Sequence, residues 1–439
     1  MHRFSSYIWL LLAAALYVSV GGCATPQIPQ PVESRIPAPV VAPSPAPAQV
    51  EPPVAEPVLQ QAQPQPEVDV QPLTLTDPPV QSGENIGPHI ALLLPLNSPA
   101  FEGAAEAVRQ GFYAAATSQK LLLPLKTYAS VEESKDIVAL YQLALANGAV
   151  AVAGPLTRDG VTALAEHSSI SVPTLALNTV ESKNSDRLYF FGLSAEAEAR
   201  QVAQLASAAK LRYATIVSTG TPLAKRLTSA FADEWRNLGG SVTEEILYKD
   251  DPAALALLPT DPGEAGTEMS VLPVEPPPDA GPDYIPPPTI APGNLVFLAA
   301  EIDKARVIRP YLNAALPVYA TSQLFNGNTD TLTNYDLNDV HFVGMPWLLQ
   351  PDHPAVMIYP RANPPLEPDR ERLYALGIDA FRLLNIMLTN SYRTALPLDG
   401  VTGRIHLINN QFQREAMPAQ LKQGRSQITD ILPQKIPAR

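Results

Sequence analysis

Cysteine is almost absent: Cys23 is the single one in 439 residues. An intramolecular disulfide is therefore excluded. Histidine is scarce too, with six scattered residues whose spacing matches no metal site. Charged residues make up only 17 % of the chain and aromatics 7 %. Long hydrophobic runs are missing: Tyr7–Val20 falls short of the ~20 apolar residues a comfortable membrane-spanning helix needs. No HExxH, GxSxG, P-loop, CxxC or dinucleotide-binding pattern occurs. No nucleophile–base pair or metal set can be assembled from motifs, so neither an enzyme nor a cofactor is expected. Basic residues are lacking where the net negative charge lies. The formal net charge is -13, but residues 24–87 contribute -6 and residues 250–293 contribute -8. The remainder is close to neutral, which excludes the basic surface that nucleic-acid binding requires.

What is present begins at the one cysteine. His2 and Arg3 precede the apolar run, and Gly21 and Gly22 separate that run from Cys23. A basic start, an apolar middle and small residues before a break form an export signal. VGGC resembles a bacterial lipobox, which implies that Cys23 is lipidated and becomes the first residue of the mature protein. Residues 1–22 are then a lipoprotein signal peptide. From Cys23 to residue 87 the chain has no helical or strand period, and about a quarter of it is proline. At ~3.1 Å per residue in polyproline form it could reach on the order of 150–200 Å. A tether that holds a domain away from a membrane is expected here.

The composition changes at Pro88. Ile90–Leu94 is an apolar run stopped by Pro95, a buried parallel strand. Helix-spaced Phe101, Ala105, Val108, Phe112 and Ala115 follow. LPLKTYA, AVAVAG and VPTLALN continue as strands alternating with helices, and RLYFFGLS closes this half at Ser194. The alternation restarts with EAEARQVAQLASAAK, YATIVST, PLAKRLTSAFADEWRNLGG and SVTEEILYK. Residues 250–293, again about a quarter proline, interrupt it and are expected to be a disordered insertion. NLVFLAA, DKARVIRPYLN, PVYATSQ and DVHFVGMPWLL resume the pattern, and a long helix runs from about Arg370 to Asn390. VTGRIHLI reads as a short strand in an otherwise irregular tail.

Two runs of strand–helix–strand imply an α/β fold with two doubly wound lobes. Lobe 1 is expected over about 88–193 plus 321–397, and lobe 2 over about 194–320 plus 398–439. Ligands of such sheets bind at the carboxyl ends of the strands. The candidate cleft residues are Ser98, Gly154, Thr157, Asn178, Ser194, Thr321, Ser322 and Gln323. Backbone amides at Gly154–Thr157 could hold an anion, or Thr157 could simply cap the next helix. Asn178 could face the cleft or close a local turn. Thr321, Ser322 and Gln323 sit where the chain is expected to cross between lobes, as a hinge or as ligand contacts. Tyr319 and Trp347 are assigned to the core, and Asp330, Asp336 and Asp339 to a solvated loop.

IALLLPL, the GPL of GPLT, PTLALN, FFGLS followed by EAEARQ, AFADEW, VFLAA, PVYATSQ, MPWLL and RLYALGIDAFRL stand in an order that resembles the LppC/LpoA family. These are lipoprotein activators of class A penicillin-binding proteins, and the likeness covers roughly residues 88–425. It implies a type I periplasmic-binding-protein-like domain and an outer-membrane lipoprotein. The implied role is to bind a class A penicillin-binding protein and stimulate its transpeptidase. Ala24 is not the aspartate associated with inner-membrane retention, so outer-membrane sorting facing the periplasm is implied. Better-known members carry an additional helical-repeat domain where this chain has only the Pro-rich stretch. The alternative is a solute-binding lipoprotein for an amino acid or a cell-wall fragment, which would use the cleft for a small molecule.

Overall fold

The protein is described by a computed structural model that covers residues 87–119, 123–167, 169–180, 186–250, 294–327 and 330–429. The expected signal peptide, Cys23, the Pro-rich tether and residues 251–293 lie outside the described residues.

β1 (His89–Leu94) reads HIALLL, and all six residues are buried. A strand apolar on both faces must be covered on both faces, which places it inside a sheet with helices above and below. It pairs in parallel with β2 (Leu125–Ala129) and β3 (Ala149–Ala153). The connections are α1 (Glu102–Ser118) and α2 (Glu133–Ala146), and α3 (Arg158–Glu166) leads on to β4 (Thr174–Ala176) and β5 (Leu188–Phe191). The chain then enters a second sheet through α4 (Ala195–Ala208), β6 (Tyr213–Ser218), α5 (Pro222–Asn237), β7 (Ser241–Leu247), β8 (Asn294–Ala299) and α6 (Ile302–Ile308). A 3-10 turn at Arg309–Tyr311 precedes β9 (Val318–Ala320), and two more, Ser322–Leu324 and Tyr335–Leu337, precede β10 (Val340–Gly344). The chain returns with α7 (Pro346–Leu349), α8 (Pro354–Met357), α9 (Pro368–Thr389), α10 (Tyr392–Ala395), β11 (Leu398–Asp399), β12 (Arg404–Ile408) and β13 (Gln411–Glu415). It crosses a last time to β14 (Met417–Lys422) and β15 (Arg425–Ile428).

The first sheet has the order β11-β12-β13-β5-β4-β3-β1-β2 and the second β15-β14-β10-β9-β8-β6-β7. Both are parallel in the middle and end in antiparallel strands drawn from the carboxyl-terminal part. Strand pairing therefore moves the lobe boundaries from those expected. β10 pairs with β9, so residues 321–344 stay with lobe 2 rather than returning to lobe 1. β13 pairs with β5, so residues 398–415 belong to lobe 1. The crossings fall after β5, after β10 and after β13. The tail expected to be largely irregular forms β12 to β15 instead. These strands are mostly half-exposed, and partial burial leaves little apolar alternation to read.

Lobe 1 buries α1 and α9 against one sheet face and α2 and α3 against the other. The α1–α9 contact is unusually close. A Cβ on Gly111 would lie 1.9 Å from the Tyr374 carbonyl oxygen, and one on Gly377 would lie 2.1 Å from that of Val108. Beside this crossing Phe112 and Phe381 meet edge to face at 5.3 Å, an arrangement worth ~0.5–1.5 kcal/mol beyond area burial. In lobe 2, α4 and α5 cover one face, where Phe231 stacks on Phe297 with centroids 4.0 Å apart. α6 and its neighbouring turns cover the other. Tyr319 and Trp347 are core residues, as expected.

Candidate interlobe site

Three helices, α3, α4 and α5, each have a hydroxyl cap. The side-chain oxygens of Thr157, Ser194 and Thr221 accept from the amides of Gly160, Ala197 and Ala224, each at 3.1 Å. Each satisfies a donor that a helix start leaves open, at ~1 kcal/mol apiece. Thr157 is thus the cap that was one of its two expected roles.

The anion expected at Gly154–Thr157 is supplied by the chain itself. The Glu133 carboxylate, at the start of α2, accepts from Leu156 N at 3.1 Å and from Thr157 N at 2.6 Å. It is 3 % exposed. Burial pushes its pKa above the ordinary value, and the hydrogen bonds from Thr157 and Leu156 oppose that rise. Gly154, at φ +105°, passes so close to β1 that a Cβ would lie 2.0 Å from the Leu93 carbonyl oxygen. Asn178 is held within the same corner. Its Nδ2 donates to Leu156 O at 3.1 Å, and its Oδ1 accepts from Thr179 N at 2.9 Å. Ser98 is buried, and its carbonyl accepts from Phe101 N and Glu102 N at the start of α1.

On the lobe 2 side, Thr221 Oγ1 donates to Glu301 at 3.1 Å. Thr321 and Ser322 are buried, and Gln323 is half-buried. The backbone of Ser322 is held from both directions. Its N–H donates to Glu198 Oε2 at 3.1 Å, and its carbonyl accepts from Arg372 Nη2 at 2.5 Å. Arg372, on α9 of lobe 1, also donates to Phe325 O at 2.6 Å. Glu198, on α4 of lobe 2, forms a buried ion pair with Arg414 of β13 in lobe 1. One helical turn on, Gln201 exchanges two hydrogen bonds with the Ala416 backbone, at 2.7 and 2.9 Å. Burial lowers the Arg372 pKa, and Glu198 and Asp369 counter this. Residues 321–323 therefore do not themselves cross between lobes. They are the lobe 2 loop that lobe 1 grips.

Four of the eight candidates fall into two groups. Gly154, Thr157 and Asn178 share one hydrogen-bonded corner with Glu133, while Ser322 belongs to the Glu198–Arg372–Arg414 cluster. Ser194 lies apart from both, lining a cavity of about 840 Å³ between α3, α4 and the β12–β13 hairpin. Arg158, Arg200, His406, Gln413 and Glu415 also line it. Glu196 sits at its edge, 2.9 Å from Arg226 and 3.9 Å from Arg158. Burial raises the Glu196 pKa, but hydrogen bonds and these arginines hold it below the ordinary value. Glu133, Glu198, Arg372 and Arg414 were not foreseen, because their partners are distant in sequence. Among the described residues, no group of three or more His, Cys, Asp or Glu could hold a metal ion, and no helix is long and apolar enough to cross a membrane.

Residues 81–260 and 290–424 match the model of the family described as "LppC putative lipoprotein". Among curated proteins, the "Penicillin-binding protein activator LpoA" of Edwardsiella piscicida is 28 % identical over 306 residues, covering 65 % of this chain and 43 % of the relative. Its counterpart in Yersinia pseudotuberculosis is 27 % identical over 374 residues, covering 72 % and 56 %. The chain thus spans about half the length of these relatives. Among solved structures, a "putative branched-chain amino acid ABC transporter" from Chromobacterium violaceum is 35 % identical with a TM-score of 0.59, covering 76 % of this chain and 99 % of that one. The C-domain of Haemophilus influenzae LpoA, named "a regulator of PBP1A", has a TM-score of 0.59 at 22 % identity, covering 78 % and 99 %. The fold is the α/β architecture of type I periplasmic-binding-protein-like structures, in two mixed sheets. With a family match across both lobes and the two-lobed fold in place, the chain belongs to the LppC family.

Proposed function

We propose that this protein is a non-enzymatic lipoprotein, anchored in the outer membrane through Cys23 and facing the periplasm, that binds and stimulates a class A penicillin-binding protein. Family membership and the names of the LpoA relatives support this choice of partner. What favours a docking protein over a solute carrier is the state of the cleft. The strand-end donors that would meet a solute already have acceptors within the chain, Glu133 for the amides of Leu156 and Thr157 and Glu198 for that of Ser322. Displacing such a carboxylate would leave a buried charge unpaired, at ~1–3 kcal/mol or more. A partner stabilised in its active conformation by differential affinity needs no catalytic group on this chain. The Pro-rich segment behind Cys23 provides reach. The test is co-purification of the mature chain with the cognate synthase, together with a transpeptidation assay. Absence of both binding and rate change would refute the proposal.

A second possibility, a solute-binding lipoprotein, draws on the name of the Chromobacterium violaceum structure and on the 840 Å³ cavity. Its size suits a small ligand. Thermal-shift screening with amino acids and cell-wall fragments separates the two. A ligand at 100 times its Kd adds ~2.7 kcal/mol of stability, whereas the docking protein should show no such shift.

A further inference from the structure

The chain passes between the lobes after β5, after β10 and after β13. A fold joined only at such crossings can close around a ligand by turning about them. Buried contacts outside the crossings oppose that turn. Arg372 of α9, in lobe 1, donates from Nη2 to Ser322 O at 2.5 Å and to Phe325 O at 2.6 Å. Both carbonyls belong to the loop that follows β9 in lobe 2. Neither Arg372 nor this loop is part of a crossing, so the contact ties the body of one lobe to the body of the other. Arg414 of β13 pairs with Glu198 of α4, and the same Glu198 accepts from Ser322 N at 3.1 Å. Loop, helix and strand from two lobes thus share one set of polar groups.

Water is largely excluded from this contact. Glu198, Gln201, Ser322 and Arg372 are all buried. Among the described residues, Nε of Arg372 is buried with no acceptor. Turning the lobes apart would take Nη2 from both carbonyls as well, and a buried cation stripped of its partners is strongly unfavourable. An apolar contact accompanies the polar one. Leu348, on α7, packs against the core of lobe 1 and against the core of lobe 2. A different kind of interlobe contact serves as a contrast. Arg158 of α3 reaches Glu196 of α4 at 3.9 Å, but Arg158 is 59 % exposed, and solvent-screened pairs hold little. The hold between the lobes therefore rests on the Arg372–Glu198–Arg414 cluster.

We propose that this cluster is a latch that fixes the angle between the lobes, so that the domain acts as one rigid body and does not open and close as a clamp. A rigid pair of lobes presents residues of both to a partner as a single surface. This rigidity belongs to the domain itself and does not depend on which partner it meets.

The test uses the scarcity of cysteine. With Cys23→Ser the chain has none, so Glu166→Cys on α3 of lobe 1 and Ser229→Cys on α5 of lobe 2, both at exposed positions, can each carry a spin label. Pulsed electron spin resonance then reads the distribution of distances between the lobes. The labelled chain should give one narrow peak. Arg372→Met should broaden that peak at least twofold or add a second one, with circular dichroism unchanged. Gln201→Met, which removes the paired hydrogen bonds to the Ala416 backbone and nearly keeps the side-chain volume, should broaden it in the same direction, and it decides the matter if Arg372→Met does not fold. A broad or two-peaked distribution in the labelled chain without these changes overturns the proposal, because the lobes then move. A narrow peak that the folded variants leave unchanged also overturns it, because the rigidity then has another source.

Discussion

Glu133 shows how a single side chain can fill the role of a ligand. Its carboxylate occupies the amide corner at Leu156 and Thr157, and its pKa is raised chiefly by burial. The sign of the resulting pH dependence follows. Below its ordinary pKa of 4.5 the group is protonated in both folded and unfolded chains. As pH rises toward the raised folded value, the unfolded chain releases its proton first, so the stability this group contributes is lost through that window. Glu133→Gln removes the titration. Urea unfolding of both proteins from pH 4 to 7 should show the wild type losing ground to the variant as pH rises from 4.5, and parallel profiles would contradict this. The corner was only half legible in the sequence. Thr157 before a helix is a local signal, whereas Glu133 lies 24 residues earlier and looks like any acidic residue in a first turn. Glu198 was hidden in the same way, in a run of Ala and Glu whose partners Ser322 and Arg414 are far along the chain. Truncating it strands two buried cations. Glu198→Ala should cost about 3–5 kcal/mol in denaturant unfolding, and a loss below 1 kcal/mol would show that the cluster does not hold the lobes.

At the scale of elements, the pairing of α1 with α9 carries the core of lobe 1. The helices are 250 residues apart in sequence and touch through two glycines, Gly111 and Gly377. Gly377→Ala puts a methyl group against the Val108 carbonyl, with no flexible side chain to move aside. It should destabilise by ~1–3 kcal/mol, despite the better helix propensity of alanine, and a stabilised variant would show that the crossing is looser than the geometry implies. The elements themselves were largely legible, because parallel strands buried on both faces are near-continuous apolar runs. The connections were not. The passage from β9 to β10 uses 3-10 turns in a stretch of Asn, Thr and Asp without helical period. Read locally, it resembles an exit from the lobe. Only the pairing of Val340 with Val318 shows that the chain stays.

For the molecule as a whole, the proposal joins a two-lobed fold, in which the amides of Leu156, Thr157 and Ser322 have acceptors within the chain, to the anchor proposed at Cys23. If Cys23 carries the lipid, Cys23→Ser should leave the melting temperature of the folded domain unchanged while moving the protein from the membrane fraction to the soluble periplasm. A variant that stays membrane-bound and processed as before would remove the anchor. The proposed regulatory role is assigned to the folded domain, so it should be measurable in vitro without the lipid. Purified Cys23→Ser protein and the cognate class A penicillin-binding protein should be combined with lipid-linked peptidoglycan precursor and the crosslinked peptide quantified. The predicted result is a severalfold, saturable rise in crosslinking that the tether alone, residues 24–87, does not produce. Unchanged crosslinking, with no complex detectable at micromolar concentration, would contradict the assignment of this protein as an activator.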